Sequence, residues 1–458
     1  MTSESAVPTP VRSFTDPVTG VNLHQLTDAP EGAAHLYFTR RSWTADGEWL
    51  VLVRKHRGGL NYLRARRGGE LEPLSDYPPR SFDSPHTRHM HRWMPSWEVD
   101  RNMIRQPALH PREPVLVFAL NDRIHRLEIP GGRDEVLHEF GPEDSEQGLT
   151  NLQTQFTADG RDLLIATTRR AAPGERIDPP ERRWHTLLRD ESSFVSRLWR
   201  LDPASGALRG PVFAANGEAS HVLACPWDPD LVVWVSYLHK CLYLARRDGG
   251  ELRSVLAGPR AFPGHYSWDA ANRRLTLLVS DPCRNWRSAV ASLDPESGRL
   301  RRFRAGRQWS QCHQNASPDG RWIVLDARRY RVGGENGLLM LDQERDRLYA
   351  LCQLRCSWKP PRDAAGRAVK SEFLHPNPSF SPCGRWVAVS SDFGSGVPQV
   401  YLVDLATWKP RLRVREPVLS PSHLARWALA RLPERLLPKH RPGRRPSGPS
   451  GPAEQGLE

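Results

Sequence analysis

The chain has 458 residues, a hydrophobic content of 38% and a formal net charge of +13 at pH 7. No apolar run approaches the roughly 20 residues of a transmembrane helix, and the opening MTSESAVPTPVRSF lacks the basic and then apolar pattern of a secretory signal. Its seven cysteines are scattered without a disulfide framework, so the sequence predicts a cytoplasmic protein with reduced thiols and no membrane span.

The first predicted element is an outer strand near the N-terminus. Residues 1–11, which precede it, are predicted to be disordered. The turn DPVTG at Asp16–Gly20 repeats the turns DPASG at Asp202–Gly206 and DPESG at Asp294–Gly298, and in those repeats the outermost strand follows the turn. Val21–Leu26 is therefore predicted to be the outer strand of the last repeat, delivered from the beginning of the chain.

Seven similar repeats follow. Each contains a hydrophobic anchor strand, and the anchor strands begin at Leu50, Val115, Leu163, Leu231, Leu275, Ile323 and Val387. Turn signals such as TADG and SPDG precede most of them and indicate tight links between antiparallel strands. Four strands per repeat, at intervals of about 44 to 68 residues, predict an all-β, seven-bladed β-propeller over residues 12–408. The N-terminal strand would close its last blade; six or eight blades are the alternatives.

The last segment, residues 409–458, differs in composition from the repeats. It contains 11 Arg or Lys and 4 Asp or Glu, which contribute +7 of the total charge. Ser422–Leu437 predicts a short amphipathic helix, and the remainder, rich in Pro, Gly, Ser and Arg, predicts disorder. A solubilising extension is preferred over an arm that binds nucleic acid or membrane. The small positive excess of the propeller itself favours an anionic ligand.

A polar side chain stands ten residues before each anchor strand. These ring positions are Arg40, Arg105, Gln153, His221, His265, His313 and Asn377. Equivalent positions in the blades of a propeller approach a common axis, so we expect the seven side chains to converge. Arginine suits carboxylates, and histidine can bind a metal or move protons. One histidine at such a position is more often structural, but three in consecutive repeats favour a functional site.

The last repeat adds two more candidate ligands. Glu372 and His375 precede Asn377 in SEFLHPNPSF. Together with His313 they form a mixed nitrogen and oxygen set, which suits Mn²⁺ or another borderline divalent metal better than a thiol-preferring one.

The repeats resemble the oligogalacturonate lyases of polysaccharide lyase family 22. The most specific patches are GHYSWD around His265, CHQNASPDG around His313 and HPNPSFSPCGRWVAVSSD from His375. The resemblance implies a seven-bladed propeller that cleaves short uronate oligomers by β-elimination, with Mn²⁺ bound to the substrate carboxylate. It also implies that His265 is the base that removes the proton at C5, and that His313 and His375 are metal ligands. Arg40, Arg105, Gln153 and His221 would then contact the anionic uronate oligosaccharide.

Two departures from the family pattern concern the metal site. Asn377 stands where the family has a second histidine, and Glu372 falls at the position of the family's glutamine ligand. A substrate-binding arginine after the fourth anchor strand has no counterpart in VSYLHKCLYLARR. A binding or scaffold propeller without catalytic activity is therefore the alternative. A serine peptidase is disfavoured because the sequence contains no GxSxG motif.

Overall fold

The described part of the chain forms seven antiparallel sheets, which contain all of its named strands. The structure is a computed structural model. It describes residues 8–56, 59–78, 105–120, 123–140, 151–172, 175, 194–217, 219–236, 241–257, 262–281, 287–308, 313–357 and 375–414, which contain strands and no helix. These residues belong to one unit, Met1–Pro417, and a second unit, Val418–Glu458, lies outside the described residues.

Each sheet is one blade, and its strands run outward from the axis in chain order. The exception is the seam in blade 7, where strands from the N-terminus join the sheet. Blade 1 contains β3 (Ala33–His35), β4 (Trp49–His56), β5 (Gly59–Arg66) and β6 (Leu71–Pro73); blade 2 contains β7 (Arg105–Leu109), β8 (Val115–Leu120), β9 (Arg123–Glu128) and β10 (Asp134–Glu139). Blade 3 contains β11 (Asn151–Phe156), β12 (Leu163–Arg170), β13 (Phe194–Leu201) and β14 (Leu208–Asn216); blade 4 contains β15 (Ala219–Ala224), β16 (Leu231–Ser236), β17 (Cys241–Arg246) and β18 (Arg253–Ala257).

The remaining three blades follow the same plan. Blade 5 contains β19 (Phe262–Asp269), β20 (Arg274–Asp281), β21 (Arg287–Leu293) and β22 (Leu300–Gln308); blade 6 contains β23 (Gln314–Ala316), β24 (Trp322–Val332), β25 (Glu335–Asp342) and β26 (Arg347–Gln353). Blade 7 contains β27 (Ser379–Phe380), β28 (Trp386–Ser391) and β29 (Gln399–Asp404), joined by β2 (Asn22–Gln25) and β1 (Arg12–Thr15) from the N-terminus. The predicted seven-bladed propeller, closed by an N-terminal strand, is confirmed.

The seam in blade 7 differs from the prediction in one detail. The strand β2, inside the predicted Val21–Leu26, pairs with β29, so that Leu23 lies opposite Val403. A further strand, β1, then pairs with the outer edge of β2. Val21–Leu26 is thus the fourth strand from the axis, not the outermost, because the DPVTG turn folds the preceding residues back along it.

Residues that precede and follow the strands also pair with the blades. The Thr9 N–H donates to the Gly69 carbonyl. After blade 7 the chain returns to the edge of blade 6, where the Val414 N–H donates to the Leu348 carbonyl at 2.9 Å. Ser422–Leu437, the predicted helix, lies outside the described residues. Within the described ranges, no helix is long and apolar enough to cross a bilayer.

The hydrophobic core consists of layers between neighbouring blades. Every residue of β8, Val115–Leu120, is buried, because both faces of the strand are covered by adjacent sheets. On one side Phe118 packs with Tyr62 of blade 1, and on the other Val117 packs with Ile165 of blade 3. This two-sided burial explains why the anchor strands are continuously hydrophobic, and it leaves the ends of the inner strands to form the axial site.

Candidate functional site

Four imidazoles form a row at the axis of the propeller. The ring centroids of His221 and His265 are 5.4 Å apart, those of His265 and His313 are 4.5 Å apart, and those of His313 and His375 are 5.4 Å apart. The row thus runs through blades 4, 5, 6 and 7. The structure thus brings His265, the predicted base, close to His313 and His375, the two predicted histidine ligands.

Irregularities in the inner strands place two of these histidines. The register of β15 shifts between Ser220 and Leu223, and His221 inside this bulge has a left-handed φ of 53°. The register of β19 shifts between Pro263 and Tyr266, on either side of His265. A bulge breaks the strict alternation of side chains along a strand and redirects the residue within it. For a residue other than glycine the left-handed backbone is unfavourable, so the surroundings must hold it.

Side chains of adjacent blades hold the bulge at His221. The Tyr266 hydroxyl from blade 5 donates to the His221 carbonyl, and the Val222 N–H donates to the Gln153 Oε1 atom from blade 3 at 3.0 Å. Gln153, one of the ring positions, is 1% exposed. Its observed contact is therefore a structural one that fixes the neighbouring peptide.

The same type of contact recurs at two other ring positions. Gln314 Nε2 of blade 6 donates to the His265 carbonyl at 2.5 Å. His35 Nε2 of blade 1 lies 2.5 Å from the Asn377 carbonyl, and because a carbonyl only accepts, this nitrogen is the donor. Asn377 has a left-handed φ of 47°, which asparagine tolerates better than most residues. In each case the next blade around the ring fixes the backbone of the ring residue.

Asp326 orients His313. Its carboxylate, which is fully buried in β24, accepts hydrogen bonds from the His313 N–H at 2.6 Å, from His313 Nδ1 at 2.8 Å and from the Asn377 N–H at 3.1 Å. Because Nδ1 donates to the carboxylate, the neutral imidazole carries its lone pair on Nε2. A histidine whose second nitrogen donates to a carboxylate is the usual arrangement of a metal ligand.

A loop from blade 1 occupies the axis beside the imidazoles. The inner strand of this blade is interrupted: His35 lies opposite Leu52, the Ser42 carbonyl accepts from the Val51 N–H, and Trp43 pairs with Leu50. Residues 36–41 between these pairs therefore leave the sheet, and we call them the axial loop.

Two aromatic side chains of the axial loop contact the imidazoles. The Tyr37 ring is parallel to the His221 ring, with centroids 5.6 Å apart and an angle of 8° between the planes. The same ring approaches His313 at 5.7 Å and His265 at 6.5 Å. Phe38, which is 1% exposed, packs under His313 at 5.0 Å.

Arg40, also on the axial loop, brings a buried positive charge to the site. Its Nη1 atom donates to the Gln155 Oε1 atom of blade 3. Burial lowers the pKa of Arg40 to about 10, and the phenols of Tyr266 and Tyr37 oppose that effect, so the side chain stays charged at neutral pH. Burial, followed by the charge of Arg40, lowers the pKa of His221 to about 3, so this imidazole is neutral.

The predicted metal ligands are only partly described. His313 and His375 are close enough for their rings to face one ion, and Asn377 Nδ2 donates to the His375 carbonyl at 3.1 Å. Glu372 and the side chain of Arg105 lie outside the described residues. Among the residues whose positions are given, no three His, Cys, Asp or Glu side chains converge on a metal position. The chemistry of the donor set fits a divalent metal through two imidazoles, one of them oriented by a carboxylate.

Sequence reasoning missed several residues of this site, among them His35, Tyr37 and Asp326. These three do not occupy the repeated ring position. His35 and Tyr37 stand in HLYFTRR just before Arg40, and Asp326 is the polar residue in the anchor sequence IVLDA. Of the three, Asp326 could have been found from the sequence, because a charged residue in a continuously hydrophobic strand requires polar partners.

Comparison with known proteins supports the fold. No protein-family model and no curated protein matches the chain. Among solved structures it is similar to an oligogalacturonate lyase from Vibrio parahaemolyticus, with 18% identity, a TM-score of 0.67 and coverage of 89% of this chain and 100% of that one. An oligogalacturonate lyase in complex with manganese gives 18% identity, a TM-score of 0.66 and coverage of 88% and 98%. A puromycin hydrolase gives 16% identity and a TM-score of 0.50, covering 90% of this chain and 57% of the hydrolase. These similarities show a shared propeller fold.

Proposed function

We propose that this propeller is a divergent relative of the oligogalacturonate lyases that cleaves a short uronate oligosaccharide by metal-assisted β-elimination in the cytoplasm. The observation that carries the proposal is the axial row of four imidazoles, with His313 oriented by Asp326 and with a buried arginine nearby. Packing alone gives no reason to place four histidines along one axis, because each brings polar atoms that need partners.

The first requirement of the reaction is a group that removes the C5 proton. His265 is the proposed base. It is partly exposed, whereas His221 and His313 are 8% and 3% exposed, so a substrate entering along the axis can reach it. Its carbonyl accepts from Gln314, which fixes the backbone from which the ring projects.

The second requirement is recognition of the uronate carboxylate. Arg40 offers a charged, planar set of donors, of which the Nη1 atom contacts Gln155. His221, neutral at physiological pH, adds no second positive charge. Arg105 stays a proposed contact of the sugar, and its side chain lies outside the described residues. Gln153 stays a proposed contact through its Nε2 atom, because its Oε1 atom accepts from the Val222 N–H.

His313 and His375 would hold the divalent metal, together with Glu372 and the amide of Asn377. Bound Mn²⁺ supplies Lewis-acid stabilisation of the negative charge that develops next to the substrate carboxylate. In this arrangement Asp326 keeps the Nε2 lone pair of His313 available, and His35 holds the loop from which His375 projects.

Ultraviolet absorbance with trigalacturonate tests the proposal. The purified protein with Mn²⁺ is expected to produce the absorbance of a C4–C5 unsaturated uronate, and a chelator is expected to abolish it. His265→Ala should retain bound Mn²⁺ and lose turnover. Folded, metal-loaded protein that gives no absorbance with any galacturonate oligomer would refute the lyase activity.

The second candidate is a binding or scaffold propeller that lacks catalysis. The replacement of a family histidine by Asn377 favours it, because an amide is a weaker ligand than an imidazole. This function predicts that the protein binds trigalacturonate without consuming it and that binding is unaffected by the chelator. Calorimetric titration with and without Mn²⁺ separates the two.

A further inference from the structure

Tyr37 and Phe38 are neighbours on the axial loop, with ring centroids 4.7 Å apart, but their surroundings differ. Phe38 fills the space beneath the imidazoles, with ring centroids 5.0 Å from His313 and 5.7 Å from His265. Phe38 is also anchored, since Asn315 Nδ2 donates to its carbonyl at 3.4 Å. Tyr37 is partly exposed by contrast, and its ring faces three imidazoles at once.

The axial loop holds the backbone of Tyr37 in a tight turn. The Arg40 N–H donates to the Tyr37 carbonyl at 2.6 Å, which closes a tight turn and returns the chain past the tyrosine. This turn holds the partly exposed ring beside His221, His265 and His313, at the end of the axial row that a substrate can reach.

We propose that Tyr37 is a catalytic acid that protonates the departing O4 oxygen of the substrate. The inference rests on the β-elimination proposed above, in which the base was assigned and the acid was not. An alkoxide is a poor leaving group, and a positioned acid is worth roughly 10² to 10⁴ in rate for such a step. The phenol lies beside the base rather than on a distant blade, with the Tyr37 and His265 centroids 6.5 Å apart.

The step balances without an added reactant. His265 takes the proton from C5, and the electron pair of that C–H bond forms the C4–C5 double bond. The C4–O4 bond breaks, its electron pair goes to O4, and O4 takes the proton from the Tyr37 hydroxyl. The imidazolium loses its proton and the phenolate regains one by exchange with solvent, which restores both groups. The products are an unsaturated uronate and a shortened oligosaccharide with a free hydroxyl group.

A pair of substrates isolates the proton donated to the leaving group. Trigalacturonate releases an oxygen that must be protonated, whereas a 4-deoxy-4-fluoro galacturonide releases fluoride, which needs no acid. The variant is Tyr37→Phe, which keeps the ring and removes the hydroxyl. The matched control is Tyr62→Phe in the same blade, where the buried hydroxyl has no hydrogen-bond partner among the described residues.

We expect Tyr37→Phe to lower kcat on trigalacturonate by roughly 10²-fold or more and to change fluoride release by only a few-fold. Tyr62→Phe should match the wild type on both substrates.

Three outcomes would overturn the assignment. Full activity of Tyr37→Phe on trigalacturonate removes the role of Tyr37 while leaving the lyase intact. An equal loss on both substrates assigns Tyr37 to holding the imidazoles, because a positioning role affects proton removal whatever the leaving group. Wild-type protein that eliminates neither oxygen nor fluoride refutes the proposed lyase function itself, and the acid with it.

Discussion

Replacing the Asp326 carboxylate with an amide is the sharpest single test of the site. Asp326→Asn keeps the shape of the side chain but exchanges one oxygen for an NH₂ group. One carboxylate oxygen accepts from the His313 N–H, and the other accepts from His313 Nδ1 and the Asn377 N–H. Whichever way the amide turns, its NH₂ group faces at least one N–H that formerly had an acceptor.

The lost acceptor determines how much unfolding free energy Asp326→Asn loses. A hydrogen bond to a charged group contributes about 1.5–3 kcal/mol, and a buried donor left without a partner costs about 1–3 kcal/mol. Asp326 is fully buried, so water does not replace the lost acceptor. We expect a loss of unfolding free energy of about 2–5 kcal/mol. If the NH₂ group faces Nδ1, His313 must accept there and carry its proton on Nε2, which blocks that atom as a ligand.

Two measurements on the same sample check this prediction. Urea denaturation gives the loss of stability, and calorimetric titration with Mn²⁺ is expected to show affinity reduced by roughly 10- to 100-fold. The matched control is Asp342→Asn in the same blade. Asp342 is also fully buried, but its Oδ1 atom accepts from the Glu344 and Arg345 N–H groups in the turn after β25, and its Oδ2 atom lies 3.9 Å from Arg321 Nη2. Wild-type stability together with wild-type Mn²⁺ affinity in Asp326→Asn would contradict the proposed role of Asp326.

Three further predictions address charge, acidity and ligand number. The pKa of His35 is lowered to about 4 and that of His221 to about 3, mainly by burial, so below pH 6.5 the unfolded chain takes up protons before the folded one does. The free energy of unfolding is therefore complete above pH 6.5 and falls as the pH approaches 4, by about 2 kcal/mol per histidine at pH 5. In urea denaturation, His35→Gln should remove the part of this pH dependence that is due to His35. An unchanged pH dependence would contradict the lowered pKa of His35. Arg40→Lys, which keeps the charge but loses the planar donors, should raise KM for trigalacturonate roughly tenfold, about 1.4 kcal/mol, in steady-state assays; an unchanged KM would exclude Arg40 from carboxylate recognition. Asn377→His should tighten Mn²⁺ binding in calorimetry roughly tenfold, about 1.4 kcal/mol, because His221 shows that histidine fits the same left-handed backbone; weaker binding would show that Asn377 is not at the metal.

The repeated pattern was sufficient to predict the fold and the convergence of the histidines. Anchor strands such as Val115–Leu120 are buried on both faces in every blade that shares the pattern, so hydrophobicity alone located them. The turn signals located the hairpins between the inner strands and the anchor strands. The approach of His221, His265 and His313 then followed from the equivalence of the repeats, since equivalent positions of a closed ring approach its axis. His375, which extends the row, was predicted from its place two residues before the ring position Asn377.

The directions of the side chains were not predictable from the same pattern. A fixed offset from the anchor strand assumes that every inner strand is regular, but β15 and β19 contain bulges next to His221 and His265. The inner strand of blade 1 is interrupted altogether, so Arg40 lies on the axial loop rather than in a strand. These irregularities depend on contacts with other blades, such as that of Tyr266 with His221, and such contacts leave no periodic signal in the sequence.

Closure of the ring and assembly of the site are linked through the contact of His35 with Asn377. Asn377 of blade 7 is fixed by His35 of blade 1, and the Ser390 hydroxyl, also of blade 7, donates to His35 Nδ1 at 2.9 Å. His35 thus joins blade 1 to two segments of blade 7, the blade in which the N-terminal strands pair with β29. The pairing of β2 with β29 keeps blade 7 complete next to blade 1. The N-terminal strand therefore stabilises more than the outer edge of the sheet: by holding the seam together it maintains the backbone from which His375 and Asn377 enter the site.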